Sequence, residues 1–390
     1  MTGPKRLRLF AVEDTSLQVT WGELDAQEVH LRAGDAELVL DHAGGPAAPV
    51  LRGLPPGRRL EVELSGDGWR RTLRAETLSP PPGEQLYRFA TLSDMHLGLT
   101  TFGVFDTMKE EPAPVEPHTT RCTRAALREA KAWGAERLVI KGDTTDSGSV
   151  DEWDQLGSLL RDVGLPTDVI PGNHDVRRRR ELDVDDALDR LGLTTLGGSR
   201  ALDLPGVRLV LFDTTTTGHH GAYDRHLDVV VELVRRSDRP VVLVGHHHPM
   251  PLPFLSYWPP GVPSHHAKRF FRQVATLRPD AIYLGGHTHR HRRRDLGGVQ
   301  VVEVGSPKDF PGTWAGYVVH EGGIRQVVRR VAAPDCLPWL ERSRWAALGA
   351  WGRWSPGRLD QRCFTLPWVG ASSGLGAEEE GRHGLAGDRR

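Results

Sequence analysis

Five short apolar segments of this chain end in side chains that can bind metal ions or transfer protons, and this pattern constrains the fold more than any other feature. The five endings read DMH (94–96), GD (142–143), GNHD (172–175), GHHHP (245–249) and GHTH (286–289). In layered α/β folds, the loops that follow the carboxyl ends of strands converge on one crevice. We therefore expect these five endings to form one site.

The apolar segments are typical of buried strands, because they are short and continuous rather than alternating. They lie at 86–94, 137–143, 167–173, 208–213, 240–246, 280–287 and 299–306. Two segments with helical periodicity, 119–134 and 150–164, separate the first three of them. This alternation of strands and helices predicts a layered α/β domain over residues 86–330.

Residues 1–79 have a different pattern, with alternating segments such as LQVTWGEL (17–24) and RLEVELSG (59–66) between turn residues. Alternation with period two predicts a small antiparallel β-sandwich. Trp21 and the LPPG turn at 54–57 resemble a fibronectin type III module, although Leu60 stands where that module usually has Tyr. Consecutive prolines then predict a stiff linker at 80–85.

The end of the chain changes in composition once more. Residues 331–370 contain five tryptophans, at positions 339, 345, 351, 354 and 368. We expect this extension to form one short helix that docks on the core. Residues 371–390 have too little apolar content to order themselves, which predicts a disordered tail.

Composition narrows the classes of protein to consider. The chain has 390 residues, 38% of them apolar, which is enough to bury a sizeable core in two or three domains. A formal net charge of −1 gives no reason to expect binding to nucleic acid or to an anionic membrane. Only three cysteines are present, and the N-terminus MTGPKRLRLF has no apolar segment of signal-peptide length. We therefore expect a cytoplasmic protein.

The side chains at the strand ends indicate the kind of metal. Two carboxylates, one amide oxygen and four imidazoles form a mixed oxygen and nitrogen set that suits Mn, Fe or Zn. Seven ligands suit two ions rather than one. A carboxylate between the two positions can bridge them, and a separation of ~3.5–4 Å lets both ions act on one phosphoryl group. Asp143 is the residue we expect in this bridging position.

In its order, the complete series resembles the calcineurin-like metallophosphoesterase superfamily over residues 86–320. Asp-x-His in the first motif, with no Tyr after Gly142-Asp143, is similar to its cyclic-nucleotide phosphodiesterase branch. The β-sandwich in front is instead similar to purple acid phosphatases. The resemblance implies a central β-sandwich flanked by helices, two metal ions and hydrolysis of a small phosphoric ester.

Carried over to this chain, the resemblance implies two sets of metal ligands that share Asp143. Asp94, His96 and His289 would hold one ion. Asn173, His287 and one histidine of the 246–248 run would hold the other. The His-x-Pro spacing of the family selects His247, and His246 is the alternative, since a shift of one residue turns a side chain to the opposite face.

His174 resembles the general acid of the family, which protonates the leaving alkoxide. Two cations would lower the pKa of bound water and neutralise charge on the phosphoryl oxygens. Asp143, as the shared ligand of both cations, and His174, as the proton donor, are therefore the predicted catalytic residues. A phosphodiesterase for a nucleotide or other small diester is the favoured function, and a phosphomonoesterase is the alternative. A nuclease would need a groove for a polyanion, and a non-catalytic scaffold would be expected to have lost ligands.

Several neighbouring segments allow two interpretations. Asp213 and Thr214–Thr217, with His219 and His220, could contact substrate or form a turn that binds its own backbone. The arginines Arg177–Arg180 and the HRHRRR segment His289–Arg294 could line a basic rim or form solvated surfaces. The apolar loop 251–260 could form a wall that stacks a base, or a surface loop packed on the core.

Overall fold

Two six-stranded mixed sheets carry the motif-bearing strand ends in the computed structural model, which describes residues 3–103, 106–251 and 258–369. The first sheet has the strand order β12-β11-β8-β19-β20-β21, and the second has the order β13-β14-β15-β16-β18-β17. The strands of the first sheet are β8 (Gln85–Leu92), β11 (Arg137–Lys141), β12 (Thr167–Ile170), β19 (Thr313–His320), β20 (Gly323–Arg330) and β21 (Phe364–Pro367). Those of the second are β13 (Ser199–Leu204), β14 (Val207–Phe212), β15 (Val241–Val244), β16 (Ile282–Gly285), β17 (Arg292–Leu296) and β18 (Val299–Glu303).

The motif-bearing strands within each sheet run parallel to one another. In the first sheet β8, β11 and β12 are parallel, with Ile140 opposite Leu92 and Val169. In the second sheet β14, β15, β16 and β18 are parallel. Parallel strands bring their carboxyl ends to one edge of a sheet, so the five endings of the sequence lie along two adjacent edges.

An apolar layer between the two sheets forms the centre of the domain. Phe89 and Val139 of the first sheet pack in one buried cluster with Leu209, Val242 and Ile282 of the second. Burial of both faces explains why these strands read as continuous apolar segments. The predicted layered architecture, a central β-sandwich flanked by helices, is confirmed.

Helices cover the outer faces of both sheets. Against the first sheet lie α1 (His118–Trp133) and α2 (Val150–Val163), and against the second lie α4 (Leu227–Arg235) and α5 (Ser264–Leu277); α3 (Val184–Arg190) follows β12. Ser149 and Glu152 form a capping box at the start of α2, which satisfies the first free backbone N–H groups of that helix. A short hairpin of β9 (Thr101–Phe102) and β10 (Met108–Lys109) precedes α1.

The N-terminal region is antiparallel and all-β, as the alternating pattern predicts. One sheet consists of β1 (Arg8–Val12), β2 (Ser16–Thr20) and β5 (Val50–Arg52). The other consists of β3 (Glu28–Ala33), β4 (Ala36–Asp41), β6 (Arg59–Gly66) and β7 (Trp69–Glu76). These sheets establish the β-rich class, whereas the narrower fibronectin type III assignment and the domain boundaries stay predictions.

The N-terminal region is bound tightly to the α/β domain. Buried Glu13 forms ion pairs with Arg329 and with Arg325, the latter at 3.3 Å, and accepts a hydrogen bond of 3.0 Å from Trp133 Nε1. Gln18 Nε2 also donates to the carbonyl of Arg330 at 2.8 Å. Buried charge pairs of this kind stay stable only when every partner is present.

The C-terminal extension contains more structure than the sequence predicts. Instead of one short helix it forms α6 (Leu337–Ser343), α7 (Ala350–Trp354) and α8 (Leu359–Arg362), and it then adds β21 to the edge of the first sheet. Helices of four to seven residues are too short to give a clear apolar period. The predicted tail, 371–390, lies outside the described residues. Within those residues, no helix combines the length and the apolar character that crossing a membrane requires.

Candidate metal centre

Several backbone turns that follow the strand ends have an unusual conformation. Asp94, His96, Asp143, His287 and His289 all have positive φ, between 47° and 69°. Non-glycine residues rarely adopt this left-handed region, and each instance costs about 1–3 kcal/mol. Backbone hydrogen bonds hold two of the turns, since Asp94 N donates to the carbonyl of Gly142 and His96 N to that of Asp143, both at 3.0 Å.

One group of candidate ligands contains Asp94, His96 and His289. Their ligand atoms lie within 4.8 Å of one another. His289 Nε2 is 3.5 Å from Asp94 Oδ1 and 3.3 Å from His96 Nε2. Two imidazole nitrogens this close to each other and to a buried carboxylate form a pocket that suits a cation.

Asp143 lies between this group and a second one. Its Oδ2 is 3.6 Å from His96 Nε2 and 3.3 Å from His246 Nε2, and its Oδ1 accepts a hydrogen bond of 2.8 Å from the backbone of His174. Burial opposes ionisation, but the charges of His246 and His174 outweigh it, so the pKa of Asp143 lies well below its usual range. The carboxylate is therefore ionised and faces both groups, as a bridging ligand must.

The second group contains His246, His247 and His287, again with ligand atoms within 4.8 Å of one another. His287 Nε2 donates to the carbonyl of Pro260 at 3.1 Å, which leaves its Nδ1 with a free lone pair. Burial lowers the pKa of His287 and of His247 well below the usual value for imidazole. Both rings are therefore neutral, which is the form that binds metals.

Three buried polar atoms in this region support a fit to metal ions. Asn173 Oδ1, His246 Nε2 and His247 Nε2 have no hydrogen-bond partner among the described residues. Buried polar groups are normally paired, and each unpaired one costs about 1–3 kcal/mol. Cations bound to these atoms would satisfy all three, and the residues present therefore fit a metal centre.

His246 and His247 differ in how they are held. His246 Nδ1 donates to the carbonyl of Lys141 at 2.7 Å, so its Nε2 faces Asp143. Burial lowers the pKa of His246, but the charge of the Asp143 carboxylate 3.3 Å away outweighs burial and raises the pKa to about 9. His247 Nδ1 lies 2.9 Å from the hydroxyl of Thr214. Both rings adjoin His287, and distance alone does not separate them.

The fold also explains why glycine precedes Asn173. A Cβ at Gly172 would lie 2.2 Å from the backbone nitrogen and from Oδ1 of Asp143. Only a residue without a side chain lets the β12 loop approach the β11 loop this closely.

Comparison with known proteins identifies the family. The model of the calcineurin-like phosphoesterases matches residues 87–291, more than half of the chain. The chain belongs to this family. It is therefore a hydrolase of phosphoric esters, as the motif series predicts. The family depends on a dinuclear metal centre, and the side-chain groups described above fit one.

Several curated proteins are similar in sequence to this phosphoesterase. A probable cyclic nucleotide phosphodiesterase of Psychrobacter arcticus is 24% identical over 59% of this chain and 82% of its own length. The 3',5'-cyclic adenosine monophosphate phosphodiesterase CpdA of Pseudomonas aeruginosa is 25% identical over 42% and 58%, respectively. The glycerophosphodiester phosphodiesterase GpdQ of Enterobacter lignolyticus is 26% identical over 30% and 43%. The chain thus spans about half the length of the last two.

Among solved structures, the phosphoesterase is similar to purple acid phosphatase PPD1 from yellow lupin seeds. The sequence identity is 13% and the TM-score is 0.45, with 84% of this chain and 72% of that chain covered.

His174 adjoins Asp143 but has partners that sequence reasoning missed. Its Nδ1 is 3.0 Å from Asp146 Oδ1, and its Nε2 accepts from the guanidinium of Arg177 at 3.2 Å. Burial lowers the pKa of His174, while the charges of Asp143 and Asp146 outweigh this and raise it overall. Asp146 follows Asp143 by three residues in a loop, where no periodic pattern marks it.

Asp309 is a second residue that sequence reasoning missed. Its buried carboxylate accepts a hydrogen bond of 2.6 Å from His289 Nδ1. This bond fixes the tautomer of His289 so that Nε2 carries the lone pair that faces Asp94. Asp309 lies between β18 and β19, twenty residues from its partner, and only the fold brings the two together.

The segments with two interpretations are partly resolved. Asp213 Oδ1 accepts from the backbone of Thr215 at 2.7 Å, as expected for a turn that binds its own backbone. Arg177 lies beside the site, 3.7 Å from Asp146, whereas Arg180 pairs with Asp183. Arg292–Leu296 form strand β17 rather than a loop at the rim. Of the apolar loop, residues 252–257 lie outside the described part of the chain.

Proposed function

We propose that this protein is a two-metal phosphodiesterase that cleaves a small diester, with cyclic nucleotides as the first class to test. The central position of the ionised Asp143 carboxylate between two groups of candidate ligands carries the proposal. The names of the relatives, cyclic nucleotide and glycerophosphodiester phosphodiesterases, support a diester over a monoester.

The proposed ligand sets correspond to the two groups of candidate ligands, with Asn173 added to the second. Asp94, His96 and His289 hold the first ion, and Asp143 is shared. Asn173, His247 and His287 hold the second, with His246 as the alternative to His247. When bound, two cations of Mn, Fe or Zn would lower the pKa of a hydrolytic water and neutralise charge on the phosphoryl oxygens.

His174 is the proposed general acid. Its ring nitrogens are held by Asp146 and Arg177, and its raised pKa keeps a proton available nearer neutral pH. Loss of the hydrogen bond from Arg177 on substrate binding would free Nε2 to carry that proton to the leaving oxygen.

Hydrolysis of two model esters tests the reaction class. Bis(p-nitrophenyl) phosphate and p-nitrophenyl phosphate are compared with added Mn²⁺ and with chelator, for wild type and for Asn173→Ala. We expect turnover that prefers the diester, disappears with chelator and is reduced in the variant. A preference for the monoester would replace the proposal with a phosphomonoesterase. A panel of cyclic nucleotides and glycerophosphodiesters then defines the substrate.

We also infer two properties of the whole chain. The β-rich N-terminal region is a fibronectin type III-like module, supported by Trp21, which is buried in its core. The protein acts in the cytoplasm, supported by its few cysteines. Fractionation of the native cells with a tagged full-length chain tests the location.

A further inference from the structure

A second polar cavity lies away from the metal centre, where the N-terminal strands meet the C-terminal extension. It encloses about 110 Å³ and shares no lining residue with the candidate ligand groups. Five arginines and one acidic residue are the charged groups of its lining within the described chain: Arg6, Arg8, Arg330, Arg344, Arg362 and Glu341. The cavity therefore carries a large excess of positive charge.

Glu341 lies at the centre of this cluster and contacts three of the arginines. Its Oε1 accepts a hydrogen bond of 2.9 Å from Arg330, and its Oε2 lies 3.2 Å from Arg6 and 3.9 Å from Arg344. One carboxylate cannot neutralise three guanidinium groups, and Arg8 adds a fourth positive charge. Arg330 is buried and Arg344 is half-buried, whereas Arg6 and Arg8 are exposed. Like charges held close together at a partly buried site repel one another, and an anion between them would relieve this repulsion.

Arg330 shows that neutralisation is incomplete. The residue is 3% exposed, and its Nε has no hydrogen-bond partner among the described residues. Burial lowers the pKa of the Arg330 guanidinium, and the charges of Arg6 and Arg8 lower it further. A buried N–H donor without a partner, in a cavity lined by cations, indicates a missing acceptor.

Two further features shape the cavity. Arg362 forms part of the framework, since its Nε donates to the carbonyl of Phe10 and its Nη1 to the carbonyls of Pro356 and Gly357. The ring of Phe310 contacts both Arg330 and Arg344, whose guanidinium carbons are 5.4 Å and 5.6 Å from its centre. The remaining free donors thus surround a small volume with one apolar wall.

We propose that this cavity binds a phosphate dianion, free or as the phosphoryl group of a monoester, through Arg6, Arg8, Arg330 and Arg344. Guanidinium groups match the oxygens of phosphate with paired hydrogen bonds, and an anion there joins the N-terminal region, β20 and the C-terminal extension. The site is adjacent in sequence to the metal centre, because Phe310 follows Asp309 directly.

Direct binding measurements test the site. Inorganic phosphate is titrated by calorimetry into the metal-loaded full-length protein, into Arg8→Gln and Arg344→Gln, and into the double variant. Arg8 is exposed and Arg344 is partly exposed, and Glu341 keeps Arg330 and Arg6 as partners in both variants, so neither substitution leaves a buried charge unpaired. We expect one class of phosphate sites to weaken at least tenfold in each single variant and to vanish in the double variant.

Two controls separate the cavity from other phosphate sites. Phosphate inhibition of diester hydrolysis reports the metal centre and should be unchanged in the arginine variants. Arg353→Gln removes the same charge from an exposed position of the same extension and should leave binding unchanged. Equal binding in wild type and double variant, or an equal loss in Arg353→Gln, would overturn the proposal.

A second titration with adenosine 5'-monophosphate distinguishes the sources of the anion. Binding that weakens with the same substitutions, at an affinity equal to or above that of phosphate, assigns a phosphate monoester to the cavity. Binding of inorganic phosphate alone, with the same dependence on Arg8 and Arg344, assigns the free anion. Either result supports a phosphate site built from these arginines.

Discussion

The indole Nε1 of Trp351 donates a hydrogen bond of 3.1 Å to Oδ1 of Asp309. The other oxygen of the same carboxylate accepts from His289 Nδ1 at 2.6 Å. A residue of the C-terminal extension thus supports a candidate metal ligand through a single carboxylate. The extension therefore supports the candidate metal centre, and we expect its loss to disturb the first group of candidate ligands.

Substitution of Asp309 should weaken metal binding. Asp309→Asn removes the charge that orients His289, and partners of metal-bound histidines typically contribute 10–100-fold, so we expect metal affinity to fall by about that factor. Trp351→Phe should have a smaller effect in the same direction. Metal content after dialysis against limiting Mn²⁺ measures both effects. Trp354→Phe, an exposed residue of the same helix, serves as control. Unchanged metal content in Asp309→Asn would contradict the role.

The two adjacent histidines can be separated by metal stoichiometry. We expect His247→Ala to lose one of two bound ions, because the protein then lacks a ligand in the second set. His246→Ala should keep both ions and lower turnover, since His246 contacts Asp143. Elemental analysis of the purified variants measures the ratio of metal to protein. The reverse pattern would transfer the ligand role to His246.

Removal of the general acid should depend on the leaving group. His174→Ala should lower turnover of a cyclic nucleotide by ~10²–10⁴-fold, because its alkoxide leaving group needs a proton. Hydrolysis of bis(p-nitrophenyl) phosphate should fall much less, since p-nitrophenolate is a good leaving group. Asp146→Asn should show the same selectivity in weaker form. Equal losses on both substrates would indicate a binding role for His174 instead.

The buried carboxylate of Glu13 should make stability depend on pH. Burial raises its pKa, but Arg329 and Arg325 outweigh this, so the pKa in the folded state lies below its ordinary value of 4.5. A lowered folded pKa adds stability above pH 4.5 that is lost as the pH falls through the folded pKa. Glu13→Gln should therefore cost about 3–5 kcal/mol at neutral pH, by removing one partner of a buried pair.

Denaturant unfolding at several pH values tests this dependence. The difference in free energy of unfolding between wild type and Glu13→Gln should be full at pH 7 and should shrink below pH 4.5. Glu76→Gln removes an exposed carboxylate of the same region and should have little effect at any pH. A difference that stays constant down to pH 3 would contradict the ion-pair explanation.

Much of the fold was predictable because the strands are buried on both faces. Segments such as 137–143 and 240–246 have the continuous apolar character of β11 and β15, and their polar endings lie at the carboxyl edges as expected. The candidate ligands were found for the same reason. Each lies within four residues of the end of a strand, so its approximate place in the fold follows from the position of that strand.

The residues that sequence reasoning missed lack such a local signal. Asp146 and Asp309 lie in loops, and their partners His174 and His289 are 28 and 20 residues away. The arginine cavity joins residues 6–8, 330 and 344, which no periodicity connects. Contacts of this kind arise from packing between elements, and a single sequence does not record them.

The left-handed turns at five of the candidate ligands have a consequence for metal binding. Their conformations are held by strand pairing and backbone hydrogen bonds of the protein itself. A ligand side chain on a backbone turn that the protein itself holds in place loses little conformational freedom when an ion binds. The candidate centre is in this sense preorganised, since the binding of an ion would not have to order these turns.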